Sequence, residues 1–144
     1  MNIQIAIEGK IRDKHIDDFF TEYKKRLTPY FNFEIIEFGS GNSKTFEKMI
    51  KNSKADDLFI GLDERGKRFN SKSFANWFNE LRHNSRSITF IIGQADGLSD
   101  MAKKYSKEFI SLSELTLSYK VSFIVVVEQI YRAMTIINGH PYHK

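Results

Sequence analysis

The chain ends on Asn138-Gly139-His140-Pro141-Tyr142-His143-Lys144, so two histidines, a tyrosine and a lysine share its last five residues. Histidine is the side chain that exchanges protons near neutral pH. Tyrosine and lysine add a phenol and a fixed positive charge. Coming directly after a long apolar segment, such a run is a frayed terminus, a metal site, or part of an active site that needs the chain end. His140 and His143 have helix-like spacing, but Pro141 between them breaks a helix and no further ligand cluster is visible. Gly139 can end a preceding helix and Pro141 prevents its resumption, so the final residues are expected to run as a fixed extended tail.

Three other stretches carry glycine or hydroxyl residues where a strand should end. In GLDERG the strand stops at Leu62-Asp63. In IIGQADGLSD, Gly93 and Gly97 bracket a loop before a helix. In ISLSELTLS a strand runs into a Ser/Thr-rich loop. Glycine lets a backbone approach a ligand closely, and a helix start offers free N–H groups. Each also has a plainer reading: Gly93 and Gly97 as a tight turn, Ser113 and Thr116 as caps. The glycine loop is neither a dinucleotide fingerprint nor a Walker loop, since no Lys-Ser or Lys-Thr follows Gly97. No Ser-His-Asp order or paired-carboxylate spacing stands out.

The elements that must position these loops follow from periodicity. NIQIAIEG alternates Ile3, Ile5 and Ile7 with polar residues, which predicts a strand with one solvated face. HIDDFFTEYKKRL places Ile16, Phe19, Phe20, Tyr23 and Leu27 on one helical face. FEIIEF reads as a strand closed by the turn residues GSGNS, and TFEKMIKNSK as a helix. LFIGLD and ITFIIG are almost wholly apolar, as strands buried on both faces of a parallel sheet are. SKSFANWFNELRH and SDMAKKYSKEFI read as helices, the second capped by Ser99, and FISLS as a last strand. Tyr119–Ile137 contains the β-branched run VSFIVVV. Its nineteen residues are too long for a strand, and Glu128, Gln129 and Arg132 favour a helix, buried in the domain or against another subunit. Strands alternating with helices predict one α/β domain over residues 1–144, with a mostly parallel sheet flanked by helices.

At 144 residues with thirteen Phe and six Tyr, the chain can bury a core. It has no cysteine, so disulfides and thiolate metal sites are excluded. The start lacks a signal-peptide pattern, and FIVVV is far too short to span a membrane, so a soluble cytoplasmic protein is expected. The net charge of +4 arises in residues 61–144, where twelve basic side chains face eight acidic ones; residues 1–60 balance at ten each. That surplus permits a polyanionic partner. Residue chemistry alone leads to an α/β ligand-binding domain and no further.

FIIGQADGLS, SLSELTL and EQIYRAMTIINGHPYHK, in this order and at these separations, resemble the large-subunit (23S) ribosomal RNA pseudouridine N3-methyltransferase family, type H, of the SPOUT class. FTEYKKRL and FIGLDERGKRFNSKSFA resemble its upstream elements, so the likeness covers essentially the whole chain, and the ending GHPYHK is its most specific part. The resemblance implies an S-adenosylmethionine enzyme that methylates N3 of a pseudouridine in 23S rRNA at the ribosomal subunit interface. It further implies an α/β fold with a deep C-terminal trefoil knot, which no sequence-first argument would propose, and a homodimer. Carried over by position, the methyl donor would contact Leu62, Gly93 and Gly97 and lie along Leu112, Ser113, Glu114, Leu115, Thr116 and Leu117. No metal is implied.

The sequence departs from the family in three places. Gly93-Gln94-Ala95-Asp96-Gly97 stands where Gly-Gly-Pro-Glu-Gly is common, Leu117-Ser118-Tyr119 where Leu-Pro-His is usual, and Ser122 where an arginine is usual. For the transfer itself, N3 must be aligned with the donor and lose a proton. The resemblance makes Tyr142, His143 and Lys144 the candidate catalytic residues, reaching the partner subunit's pocket, and Arg132 a phosphate or subunit contact. The rival expectation is a non-catalytic RNA-binding or ribosome-associated α/β module.

Overall fold

The apolar runs become five strands, β1 (Asn2–Glu8), β2 (Asn32–Phe38), β3 (Asp57–Arg68), β4 (Ser87–Ile92) and β5 (Glu108–Ser111). The computed structural model describes residues 1–11, 13–39 and 44–144. Within them the strands form a sheet of order β2-β1-β4-β3-β5 in which every pairing is parallel. Parallel neighbours need crossovers. These run through helices α1 (Lys14–Leu27), α2 (Lys44–Lys51), α3 (Ser71–Asn84) and α4 (Asp100–Tyr105), and α5 (Tyr119–Ile137) follows the last strand. The turn expected at residues 39–43 lies, beyond Gly39, outside the described residues.

Strand periodicity divides the core into two layers. Ile3, Ile5, Ile7, Ile88 and Phe90 point to the side where α1, α3 and α5 supply Ile16, Phe74, Phe78, Phe123, Val127 and Ile130. Ala6, Phe38, Phe59 and Ile91 point to the other side, against Phe46 of α2, Leu98, and Ala102 of α4. The expected solvated face of β1 is therefore covered. β1 lies between β2 and β4, and Glu8 on its second face is buried because its carboxylate accepts the Ser99 backbone N–H at 3.0 Å. Alternation reveals the polar residues of a strand but not what packs over them.

α5 resolves the ambiguous segment as a helix. Ser118 caps it by accepting the Val121 N–H, and seven of its residues, Phe123 to Thr135, are buried. Each fully buried Val, Ile or Phe of this kind contributes about 1.5–3 kcal/mol, so α5 anchors the domain against α1 and α3. At its C-terminal end Gly139 takes φ +67°, His140 N–H reaches Thr135 O at 2.9 Å and Gly139 N–H reaches Ile136 O at 3.3 Å. This Schellman closure satisfies carbonyls that the helix end leaves free.

Two expected boundaries move. The helix begun at Ser99 stops at Tyr105 and residues from Glu108 join the sheet as β5, because Ser106 closes the last turn through Ala102 O. β3 does not stop at Asp63. Ile110 of β5 pairs first with Leu62 and again with Lys67, so residues 63–66 bulge out between the two pairings. Gly66 permits this: a Cβ there would lie 2.6 Å from Ile110 N and Phe109 C.

Candidate active site

All three loops singled out by residue type meet at the carboxyl ends of β3, β4 and β5, where open parallel sheets bind ligands. They enclose a cleft of about 410 Å³ lined by Leu62–Arg65, Ile92–Leu98, Leu112, Ser113, Leu115–Leu117, Tyr119 and Ser122, with Lys103 and Ile110. That size is ordinary for a small-ligand site.

The loop after β4 has little freedom. Gly97 N–H bonds Gln94 O at 2.8 Å, closing a tight turn, and Gly97 takes φ +94°. Gly93 faces this turn so closely that a Cβ would sit 2.4 Å from Gly97 O. The two glycines thus serve different needs, one space and the other backbone angle. Gln94 lays its side chain over Gly9, whose own Cβ would meet its Nε2 at 2.6 Å. These contacts hold a loop that lacks the proline usual in its place.

The opposite wall is the segment after β5. Ser113 Oγ accepts the Leu115 N–H at 2.9 Å, and Thr116 donates to Glu64 at 3.2 Å, bridging the β3 bulge to this wall. Asp63 accepts the Arg65 backbone N–H and also the Arg65 side chain. Those hydrogen bonds, the backbone one foremost, hold its carboxyl below the usual carboxylate range. Of the nine residues expected around a methyl donor, eight line the cleft. Glu114 turns its side chain outward to pair with Arg68.

Tyr142, His143 and Lys144 do not line this cleft. The expected extended tail is absent: after Gly139 the chain doubles back over α5. The Tyr142 hydroxyl donates to Glu128 Oε1 at 3.0 Å and lies 3.5 Å from the Tyr23 hydroxyl, and its ring meets Tyr131 edge-on at 4.8 Å. The bond to Tyr23, then burial and Glu128, push its ionisation well above a free phenol's, so Tyr142 stays protonated. Arg132 stacks on the Tyr142 ring at 4.9 Å and forms a forked bond to Glu128, at 3.1 Å from Nε and 2.6 Å from Nη2. Its Nη1 lies 3.0 Å from His143 Nδ1. Glu128 is the residue that site reasoning missed. The signal available was a Glu and an Arg four residues apart on an otherwise apolar helix.

Comparison with known proteins decides the family. A family model described as "Predicted SPOUT methyltransferase" matches residues 1–143. The chain belongs to the SPOUT methyltransferase family. It is 37% identical over 153 residues, covering 99% of each chain, to the protein named ribosomal RNA large subunit methyltransferase H in Dictyoglomus thermophilum. The protein of the same name in Limosilactobacillus fermentum is 36% identical over 159 residues and all of both chains. The fold is also that of a "probable methylase family protein" from Haemophilus influenzae Rd KW20, with TM-score 0.55 and 13% identity over 99% of this chain and 70% of that one. As a SPOUT methyltransferase the chain is an enzyme, and the cleft at the strand ends is its candidate centre. Among the described residues no group of three His, Asp or Glu is placed to hold a metal, and no helix is long and apolar enough to cross a membrane.

Proposed function

We propose that this SPOUT methyltransferase transfers a methyl group from S-adenosylmethionine to N3 of a pseudouridine in large-subunit (23S) ribosomal RNA. It would act in the cytoplasm as a homodimer in which the tail of one protomer completes the cleft of the other. The relatives' names support the substrate, and the +4 charge suits a polyanion. The cleft fits the donor: Leu62, Leu112, Leu115 and Leu117 offer apolar walls for an adenine, and Gly93 lets the lining loop after β4 close tightly on itself, where a Cβ would collide with the Gly97 backbone. When bound, S-adenosylmethionine supplies an electrophilic methyl group without a metal. The protein's own part is to exclude water, align N3 and manage its proton. The trefoil knot expected for the family belongs to the same proposal.

The observation that carries the dimeric reading is the tail's position. His143 and Tyr142 are fixed on Glu128 and Arg132, whereas the cleft reaches α5 only at Tyr119 and Ser122, roughly two turns earlier. Val121 and Ile124 stand exposed on the first turns of α5, with Leu115 nearby in sequence at 74% exposure. A second copy covering this apolar strip would bring a tail to a cleft.

Complementation tests this. A chain lacking Tyr142–Lys144 and a chain carrying Gly93→Val are each expected to be inactive on ribosomes. Co-expressed, they should recover methyl transfer, because a mixed dimer holds one intact cleft facing one intact tail. No recovery, with mixed dimers verified by mass, would refute a shared site; an inactive wild type would refute the function.

A further inference from the structure

His143 is held in a single chemical form by its neighbours. A guanidinium has donors only, so at 3.0 Å from Arg132 Nη1 the His143 Nδ1 must accept. The ring's proton then resides on Nε2, which has no hydrogen-bond partner among the described residues and sits on a partly exposed ring. Arg132 is not free to swing away. Its Nε and Nη2 bond Glu128, and the guanidinium rests on Tyr142. Glu128 is itself fixed by the Tyr142 hydroxyl and by Gln129 Nε2 at 2.8 Å, and Gln129 accepts Ser71 Oγ at 3.0 Å. The hydrogen bond that Arg132 donates to Glu128 also keeps it charged, raising it further above the ordinary arginine value.

We infer that His143 serves methyl transfer as a hydrogen-bond donor through Nε2–H, not as the proton acceptor, and that Glu128 and Arg132 are positioning residues that fix this tautomer. The inference rests on the proposed N3 chemistry. N3 of a uracil-type ring lies between two carbonyls, and the charge left when its proton departs spreads onto their oxygens. A donor fixed beside one of those oxygens stabilises charge as it develops. In the balanced step, N3 yields its proton to water and its electron pair forms the new N–CH₃ bond. The pair of the broken carbon–sulfur bond stays on sulfur, leaving S-adenosylhomocysteine. Nothing in this step asks the imidazole to accept a proton. The same geometry commits three of the five Arg132 N–H donors to Glu128 and His143, which is what a residue positioning the imidazole needs.

Three measurements on the full-length protein decide it. Glutamine can present an N–H near the Nε2 position and has no basic nitrogen, whereas alanine has neither. His143→Ala is expected to lose roughly 10²–10³-fold in kcat, the usual cost of removing one such donor, and His143→Gln to stay within about tenfold of wild type. Arg132→Lys, which keeps the charge but loses the fork, should lower kcat and leave KM for ribosomes unchanged; a phosphate contact would instead raise KM. In ¹⁵N-histidine spectra, the His143 resonances, assigned by their loss in H143Q, should show protonated Nε2 and unprotonated Nδ1. If wild type is active while H143Q is as poor as H143A, or if Nδ1 carries the proton, the inference falls and the proposed function stands. If wild type transfers no methyl group to ribosomes, the proposed function falls and the inference with it.

Discussion

Substituting Gly93 with alanine adds one methyl group, yet it should cost the cleft most of its affinity. The new Cβ would sit 2.4 Å from Gly97 O, 2.5 Å from Gly97 C and 2.7 Å from Leu98 N, all backbone atoms. Ordinary contact begins near 3.4 Å, so the loop must retreat by about 1 Å. It has little room to do so. Gly97 N–H is tied to Gln94 O, Leu98 is buried in the α4 layer, and the Ser99 N–H is held by Glu8. Overpacking of this kind costs about 1–3 kcal/mol. Carried by the bound state, that becomes a roughly 5- to 150-fold weaker Kd, at about 1.4 kcal/mol per tenfold. Isothermal calorimetry with S-adenosylmethionine reads the effect directly. Gly97→Ala is the control: a Cβ there meets nothing within 4 Å, but φ is +94°. Its strain of about 1–3 kcal/mol should appear mainly as a lower Tm. An unchanged Kd and Tm in Gly93→Ala would show that the loop yields freely and does not shape the floor of the cleft.

Ile124→Glu should convert a dimer of twice the 16.9 kDa chain mass to monomer in sedimentation, because it places a charge in the exposed strip with Val121; a stable wild-type monomer would refute the dimer outright. Asp57→Asn should destabilise the fold near pH 7 by about 1.5–3 kcal/mol. Burial raises the Asp57 pKa, but the Lys54 N–H, Arg86 and Ser87 together outweigh it, so the folded value lies below the ordinary 3.8. The charged form thus stabilises the fold above pH 3.8 and this is lost as pH falls through the lower folded value, so wild type and variant should converge in denaturation midpoint in that acid window. Gly139→Ala should lower the denaturant midpoint by an amount equal to about 1–2 kcal/mol, since φ is +67° and no neighbour adds to the cost.

The cleft was legible because chemistry and topology point to one place. Glycine and hydroxyl residues follow three apolar strands, and an α/β sheet puts such loops at one end. α5 was legible from Glu128 and Arg132, charges that a buried strand would not carry on a shared face. The second face of β1 was not, because Glu8 is buried through a partner ninety-one residues away. The tail's course was misjudged for a related reason. Pro141 does stop the helix, but the Schellman closure turns the chain back, and Tyr142 finds a carboxylate on the very helix it has just left. Spacing along a sequence records what a residue can do, and contacts between distant segments decide which of those things it does.

The bulge of β3 imposes an order on how the site comes into being. Both ends of residues 63–66 are pinned by Ile110, which lies more than forty residues further along the chain. Its crossing by the 113–117 segment through Thr116 and Glu64 comes later still. A nascent chain that has emitted β1 to β4 therefore owns the glycine loop but neither the β5 edge nor the wall built on it. On the proposed reading of the cleft, donor affinity arises only once β5 has docked and the 113–117 wall is in place. Added S-adenosylmethionine can stabilise only the finished domain, so it cannot lend mechanical or thermal resistance to intermediates that precede that event.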